Sequence, residues 1–592
     1  YTVPVAGGRV KQLLTTPAED ARLSTDGNLI IYHDRKAREN PWRKHQVSSA
    51  ARDVWAYDKR TDTHRQLSEF AGEDRSPVFS ADEKDIFFLS ERAGSFNIFQ
   101  SSISGTSAAK QLTFFKDHPV RFLSIANNNT LCFGYDGEIW IKKNNIAPKK
   151  VQIKIQATTE QALKLVSVAE ASAITIAPSG KEMAFIARGE VFVCNLNGKE
   201  IRRITQTAGK EAGLSFSPDG HSLLFASERS GSWKVMQASI PAGKGNNFYD
   251  AAQIIEKELI GNDQESYQPA WSPDGKEIAY IANRNTLRIY NIATGKSREI
   301  LSGEQLVSRR DQDQYFEWSP DSRWLLVQFT EQGAGNDEVG LIDASGNGRL
   351  INLTKSGFND VHPKWMMNGK MIIYSSDRSG LHSFDNSGTT QTDIFALSPD
   401  EKDWWNFNAN KKSDAFGTAA DTPKVKSAIN SPTASWEGIS DRKLRLSNAS
   451  NILSDAVLSR DGKFLYYLAK LETHYDLWQT NLRTKETKKL QQLNVPARSL
   501  QWDKEQKWLY LLSDGDVLRI DPEMVVQQPL NIKTEILVDP AKEREAMFDH
   551  VWRRTAQTFY TAGYHGANWQ QLGNQYRKYL SGIDNNFDFA EM

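Results

Sequence analysis

Cysteine is almost missing from this 592-residue sequence: only Cys132 and Cys194 occur. Each sits inside an apolar stretch, so both read as buried small hydrophobic residues, and no disulfide between them is expected. A chain this long builds cores without staples, so the scarcity leaves the compartment open. Excess charge of either sign is missing as well. The 73 Lys and Arg balance 73 Asp and Glu, which removes the global field that would hold nucleic acid or an anionic membrane surface. Arg309 and Arg310 make at most a local basic patch, and short charged runs read as solvated loops. No stretch approaches the roughly 18 apolar residues of a membrane span. Catalytic signatures are absent too: there is no Gly-x-Ser-x-Gly elbow, no His-Glu-x-x-His, and no His/Cys/Asp cluster at metal-ligand spacing. No catalytic, cofactor-binding or metal-ligating residue is assigned, and no cofactor is expected.

What is present is a repeat. Hydrophobic residues at 39% and aromatics at 10% suffice for real cores, and the length implies two or more compact units. The unit is an aromatic or aliphatic residue, then Ser-Pro-Asp-Gly-Lys or a variant, then an apolar strand. Its clearest copies are Trp271-Ser272-Pro273-Asp274-Gly275-Lys276, Phe216-Ser217-Pro218-Asp219-Gly220 and Trp318-Ser319-Pro320-Asp321. Weaker copies start at Ser24, Ser80, Ala126, Ala177, Met366, Ser459 and Asp503. The ten starts fall 40–56 residues apart except for one gap of 93 after Met366. A period of about 40–50 residues is that of a four-stranded propeller blade.

The repeat has a physical basis. Proline presets φ at the first central turn position, and Asp with Gly completes a tight connection between strands. The run that follows, such as Leu223-Leu224-Phe225-Ala226, is apolar throughout, as for an inner strand sandwiched between neighbouring blades. The recurring Ser, Asp and Arg are assigned to turn chemistry rather than to catalysis or calcium. Residues 400–435 lack periodicity and read as a long excursion from one blade, and 38–52 as a shorter one. Tyr1-Thr2-Val3-Pro4-Val5 reads as a strand, so the expectation is that upstream sequence, with any targeting signal, has been removed. Beyond about residue 540 the period becomes helical: Glu543, Ala546, Met547, Val551, Trp552 and Phe559-Tyr560 suggest one amphipathic helix, and Asn568 to Tyr576 with Leu580 a second.

Several ordered stretches resemble the tricorn-like peptidases, bacterial homologues of the archaeal tricorn protease. They are Tyr1 to Gly8, Glu39-Asn40-Pro41-Trp42-Arg43-Lys44-His45, His118 to Ser124, Gly134 to Trp140, Ala187 to Phe192, Met547-Phe548-Asp549 with Val551-Trp552-Arg553, and His565-Gly566 with Asn568-Trp569. The resemblance implies an all-β fold of two consecutive β-propellers, an incomplete six-bladed ring and a seven-bladed one, then a short helical segment. The expected divisions are 1–160 for about three and a half blades of the first ring, 165–535 for the seven-bladed ring with its 400–435 insertion, and 540–592 for the start of a helical domain. About two and a half blades would then lie upstream of Tyr1.

By the same resemblance the region gates access to a serine peptidase and binds peptides, while the catalytic histidine and serine lie beyond Met592. The chain alone is then expected to be inactive. His565 is assigned to the His-Gly-x-x-Trp step of the helical segment, not to catalysis. The implied partners are peptide substrates in the propeller channels, downstream PDZ and peptidase domains of the same protein, and a possible homo-oligomer, with neither nucleic acid nor a membrane span. A periplasmic or otherwise exported location is implied, with the cytoplasm as the alternative. Two other readings stay open: a TolB-like periplasmic interaction propeller without a proteolytic role, and a carbohydrate-active propeller, which lacks a placeable carboxylate pair.

Overall fold

The computed structural model describes residues 1–37, 40, 42–43, 45, 47–105, 108–153, 163–261, 264–308, 310–331, 335–382, 390–409, 438–470 and 474–592. They divide into two compact units, Tyr1–Thr158 and Thr159–Met592. The first holds three four-stranded antiparallel sheets at 18–66, 74–111 and 121–150, each a simple up-and-down meander. The second holds seven sheets of the same kind, at 173–203, 211–260, 266–301, 316–352, 360–445, 452–495 and 497–530. The fold is that of β-propeller blades.

All ten repeat starts fall at the turn between the first and second strands of a sheet. In the clearest copy the Ser272 hydroxyl donates to Asp274 Oδ1 at 2.7 Å, Asp274 Oδ1 accepts from the Lys276 N–H at 3.1 Å, and Ser272 Oγ accepts from the Glu277 N–H at 3.0 Å. Gly275 sits at φ +72°, the left-handed region that glycine enters without steric cost. The same Ser–Asp bond recurs at Ser24, Ser80, Ser217, Ser319 and Ser459. In the first of these the Ser24 hydroxyl and the Asn28 donors hold the Asp26 carboxyl down at about 2.

The apolar strand after the turn is the second of each sheet, not the innermost. First strands of successive sheets touch one another, so the strand before the turn lines the axis. The second strand is buried on both faces: Leu223, Leu224, Phe225 and Ala226 are all fully buried. One core interleaves the first two sheets of the second unit, with Val191 and Val193 against Leu223, Phe225 and Met236. Another joins the last sheet to the first, with Tyr510, Leu512 and Val517 against Phe185, Phe192 and Cys194, and so closes the ring. A two-stranded strap, Lys164–Val168 paired antiparallel with Thr534–Val538, ties the entry of this ring to its exit.

A second recurring device holds the sheets. Arg92 donates to Ser90 Oγ at 2.8 Å and to the fully buried Asp74 at 2.7 Å. Arg229 with Ser227 and Glu211, and Arg378 with Ser376 and Asp360, repeat the arrangement. The Ser-acid-Arg step is thus a brace between strands, and its charges are paired where a lone buried ion would be costly.

Four sequence readings need correction. Tyr1–Val5 is not a strand: only the Thr2–Lys11 bridge and a turn closed by Gly7 N–H to Pro4 O form there, because the exposed Pro4, Gly7 and Gly8 weaken any pairing edge. Cys132 is half-buried rather than buried, whereas Cys194 is buried; both are free thiols. Of the 400–435 excursion, residues 410–435 lie outside the described residues, but Glu401–Ala409 forms a helix, α1. Asp400 caps it by accepting from the Asp403 N–H at 2.9 Å, and Trp404 and Phe407 enter the core shared by the fifth and sixth sheets. Of the 38–52 excursion, residues 38, 39, 41, 44 and 46 lie outside the described residues.

The fourth correction concerns the helical segment. It comprises α2 (Pro540–Thr558), α3 (Trp569–Arg577) and a short α4 (Asn586–Glu591), the last without a counterpart in the sequence reading. The buried residues of α2 are Arg544 and Phe548, while Met547 and Val551 of the expected apolar stripe are 42% and 58% exposed. The helix turns its Phe548–Trp552 face inward because those rings stack, and Trp552 stacks in turn on Trp569 of α3 at 4.2 Å.

Candidate functional site at the propeller axes

In the seven-sheet ring the first strands converge on a polar axis. Most of them carry a bulge that turns one residue inward, marked by register breaks in the second, third, fifth, sixth and seventh sheets. Gly213, Gln268, His362 and Ser499 hold the positive φ values this requires. Lys364 of the fifth sheet reaches across: its Nζ donates to Asp455 Oδ1 of the sixth sheet at 2.5 Å and to Leu500 O of the seventh at 3.3 Å. Asp455 is fixed in turn by the N–H groups of Ala456 and Leu500, each at 2.8 Å. Gln268 donates to Gln314 O at 2.7 Å, and the Tyr315 and His362 rings lie 5.2 Å apart.

Burial sets the ionisation of this lining. It pushes the Glu317 carboxyl up to about 7 despite the Trp365 N–H at 3.0 Å, and the Tyr315 phenol up to about 12. It holds His362 below its ordinary value. Burial also works against the Lys364 ammonium, but Asp455, Tyr315 and Glu317 together outweigh it and the net direction is upward. The axis therefore offers one locked ion pair, amides and a carboxyl close to neutrality. Among the described residues, no hydrogen bond on this axis joins a nucleophile to a base.

The first unit has its own axial cavity of about 700 Å³, lined by Asp20, His33, Arg52, Arg75 and Arg121 among others. Glu73 bridges Arg52 at 2.7 Å and Arg75 at 3.4 Å, and Arg75 and Arg121 lie over the Phe96 ring. Ser76, His33 and Asp20 meet here, yet not as a catalytic triad. The Ser76 hydroxyl donates to Asp20 at 2.8 Å, while His33 Nδ1 accepts the Ser76 backbone N–H at 3.2 Å. A nucleophile needs its hydroxyl on the imidazole.

Helix α2 docks across the loops of the seven-sheet ring through ion pairs. Arg188 meets Glu543 at 2.7 Å, Glu228 accepts from His550 at 2.8 Å and also binds Arg553, and Arg554 meets Asp311 at 3.2 Å. His565 lies in an exposed turn, with its Nε2 on the Tyr560 hydroxyl and Phe559 edge-on to its ring. Arg310 is exposed; Arg309 lies outside the described residues. Among the described residues no group of three or more His, Cys, Asp or Glu could hold a metal ion, and no helix is long and apolar enough to cross a membrane. Sequence reasoning missed the axial Lys364–Asp455 pair and Glu317. The available signal was a charged residue inside the strand-like run before some of the turns, as at Glu317, Lys364 and Asp455.

Three family models match the sequence: the tricorn protease N-terminal β-propeller domain over residues 1–147, the TolB β-propeller domain over 247–506, and the tricorn protease C1 domain over 540–592. A protein of Sulfurisphaera tokodaii described as a tricorn-like protease C-terminal subunit is 22% identical over 542 residues, which cover 86% of this chain and 57% of the relative. The Tol-Pal system protein TolB of Wolinella succinogenes is 36% identical over 96 residues, 16% of this chain and 23% of that protein. The chain thus spans little more than half the length of the first relative and about a quarter of the second. The crystal structure of the tricorn protease superposes with a TM-score of 0.72 at 15% identity, over 97% of this chain and 54% of that one, a likeness of fold. With tricorn models matching near its start and over its last helices, and the tricorn fold along nearly all of it, the chain is a tricorn-like protein with an N-terminal β-propeller.

Proposed function

We propose that these propellers bind and admit peptides to a serine peptidase activity whose nucleophile and base lie outside residues 1–592. The observation that carries this reading is the axis of the seven-sheet ring, where Lys364, Asp455 and Leu500 of three different sheets are joined by polar contacts. A rigid ring bridged in this way would select by size and polarity without a large conformational change. PDZ and peptidase segments of the same protein, and assembly into a homo-oligomer, belong to this proposal. So does an exported, periplasmic setting, which the TolB-like stretch favours.

The test removes Lys364 and Asp455 as a pair, since deleting one partner would leave a lone charge in the ring. In the complete gene product, Lys364→Ala with Asp455→Ala should raise kcat/KM for peptides of ten or more residues about threefold and leave tripeptides unchanged. An equal effect on both lengths, or none on either, refutes the reading. A second reading, an interaction propeller without proteolysis, is favoured by the TolB model over 247–506. Under it the complete gene product cuts no peptide of any length.

A further inference from the structure

Helix α2 carries one charge that its surroundings do not answer. Arg544 and Phe548 are its buried residues, one turn apart, and the stripe continues into Trp552, whose ring lies 5.5 Å from that of Phe548. A hydrophobic side chain would complete this stripe. The arginine found there is only 7% exposed, and its Nε is buried without a hydrogen-bond partner. Among the described residues it forms no ion pair, in contrast to its neighbours Glu543, His550, Arg553 and Arg554. Burying an unpaired cation is strongly unfavourable unless an anion reaches it.

Arg544 lines a cavity of about 820 Å³ between α2, the strap, the loops of the first two sheets and the segment 584–589. The remaining charges in its wall are of two kinds. Arg188 is held by Glu543, and Glu228 is held by His550 and Arg553, so these neutralise one another. Lys164 and Lys210 also line the cavity, against Asp584 alone, an exposed residue that accepts from Asn585. Val166, Met547 and Val551 supply apolar wall. The exposure of Met547 and Val551, otherwise unexplained on a helix packed to its ring, follows from this rim position.

We propose that this cavity is a binding site for a peptide carboxylate, paired with Arg544, flanked by Lys164 and Lys210, and seated beside an apolar side chain against Met547 and Val551. The carboxylate is inferred from the unpaired guanidinium; its carriage on a peptide rests on the function proposed above. Both the free C-terminus of a peptide and an Asp or Glu side chain present this group, in the charge-assisted, forked geometry that a guanidinium favours.

Calorimetric titration of the 592-residue protein tests it with four probes: a leucine–alanine pentapeptide as the free acid, the same peptide as the amide, an amide version with one internal glutamate, and hexanoate. The free acid should bind at least tenfold tighter than the amide, a difference of about 1.4 kcal/mol, which identifies the terminus. Comparable tightening by the glutamate peptide identifies the side chain instead. Arg544→Met completes the apolar stripe, should keep or raise Tm, and should erase the preference for acid over amide. Lys210→Gln, on an exposed loop, should weaken the acid about threefold. Equal binding of acid, amide and glutamate forms, or a preference that survives Arg544→Met, overturns the site. Binding of hexanoate by a protein that takes neither charged peptide overturns the peptide assignment; failure of the channel reading is recorded separately, by the Lys364/Asp455 variant.

Discussion

Glu317→Gln isolates the energetics of the ring axis, because the glutamine carbonyl can still accept from Trp365 N–H while the ionisable proton is gone. An unfolded chain ionises this carboxyl near its ordinary value of 4.5, whereas burial in the folded ring pushes it up to about 7. Between those pH values the folded state keeps a proton that the unfolded state has released. Stability is therefore fully present below about pH 4.5, falls as pH rises, and levels off above about 7. A gap of about 2.5 in pKa, at about 1.4 kcal/mol for each unit, means that this carboxyl costs about 3 kcal/mol at pH 8 and almost nothing at pH 4.5. Glu182 and Glu211, also raised by burial to about 7, add the same sign to the wild-type slope. Urea unfolding followed by tryptophan fluorescence reads mainly the second unit, since only Trp42, Trp55 and Trp140 of the sixteen tryptophans precede it. The variant should match wild type near pH 4.5 and exceed it by about 3 kcal/mol at pH 8. An offset of equal size at both pH values refutes the reasoning.

Two further outcomes follow from local geometry. A Cβ at Gly573 would stand 2.6 Å from Trp552 Nε1 and 2.8 Å from its ring, so Gly573→Ala should destabilise the α2–α3 packing by about 1–3 kcal/mol, seen as a loss of near-ultraviolet circular dichroism; an unchanged spectrum and Tm would exclude that packing. Ser272→Ala removes both the bond to Asp274 and the one from Glu277 N–H and should lower urea stability of the second unit by about 1–2 kcal/mol, whereas Ser272→Thr should lose less.

The fold was legible wherever local chemistry repeats. Ser-Pro-Asp-Gly and its weaker forms are short-range devices whose turn geometry is set by their own side chains, so all ten starts mark real strand junctions even where the motif had decayed to Met366 or Asp503. What stayed hidden depends on distant partners. Lys364 meets Asp455 and Leu500 from sheets 91 and 136 residues further along the sequence, and no spacing rule links such positions. The inward face of α2 was misread for a related reason. Met547 and Val551 fit an apolar helical stripe, but stacking on Trp569 in another helix chose the Phe548–Trp552 face instead. The buried Arg544 Nε, without a hydrogen-bond partner among the described residues, is similarly invisible in sequence, where one arginine in Lys542-Glu543-Arg544-Glu545 looks like any exposed helical charge.

The strap that pairs Lys164–Val168 with Thr534–Val538 has a consequence for how the protein reaches its native state. Its two strands are separated by the whole ring, so this pairing, and the core that joins the last sheet to the first, cannot form until the intervening chain has been synthesised. Until then each completed blade leaves an apolar face uncovered on its growing side. Long-range closure of this kind is slow and passes through states that can aggregate. The short, bulged first strands and the charged outer strands, such as Ile255–Ile260 with three central charged residues, then act as protection during the wait, by denying neighbouring molecules a flat edge to pair with.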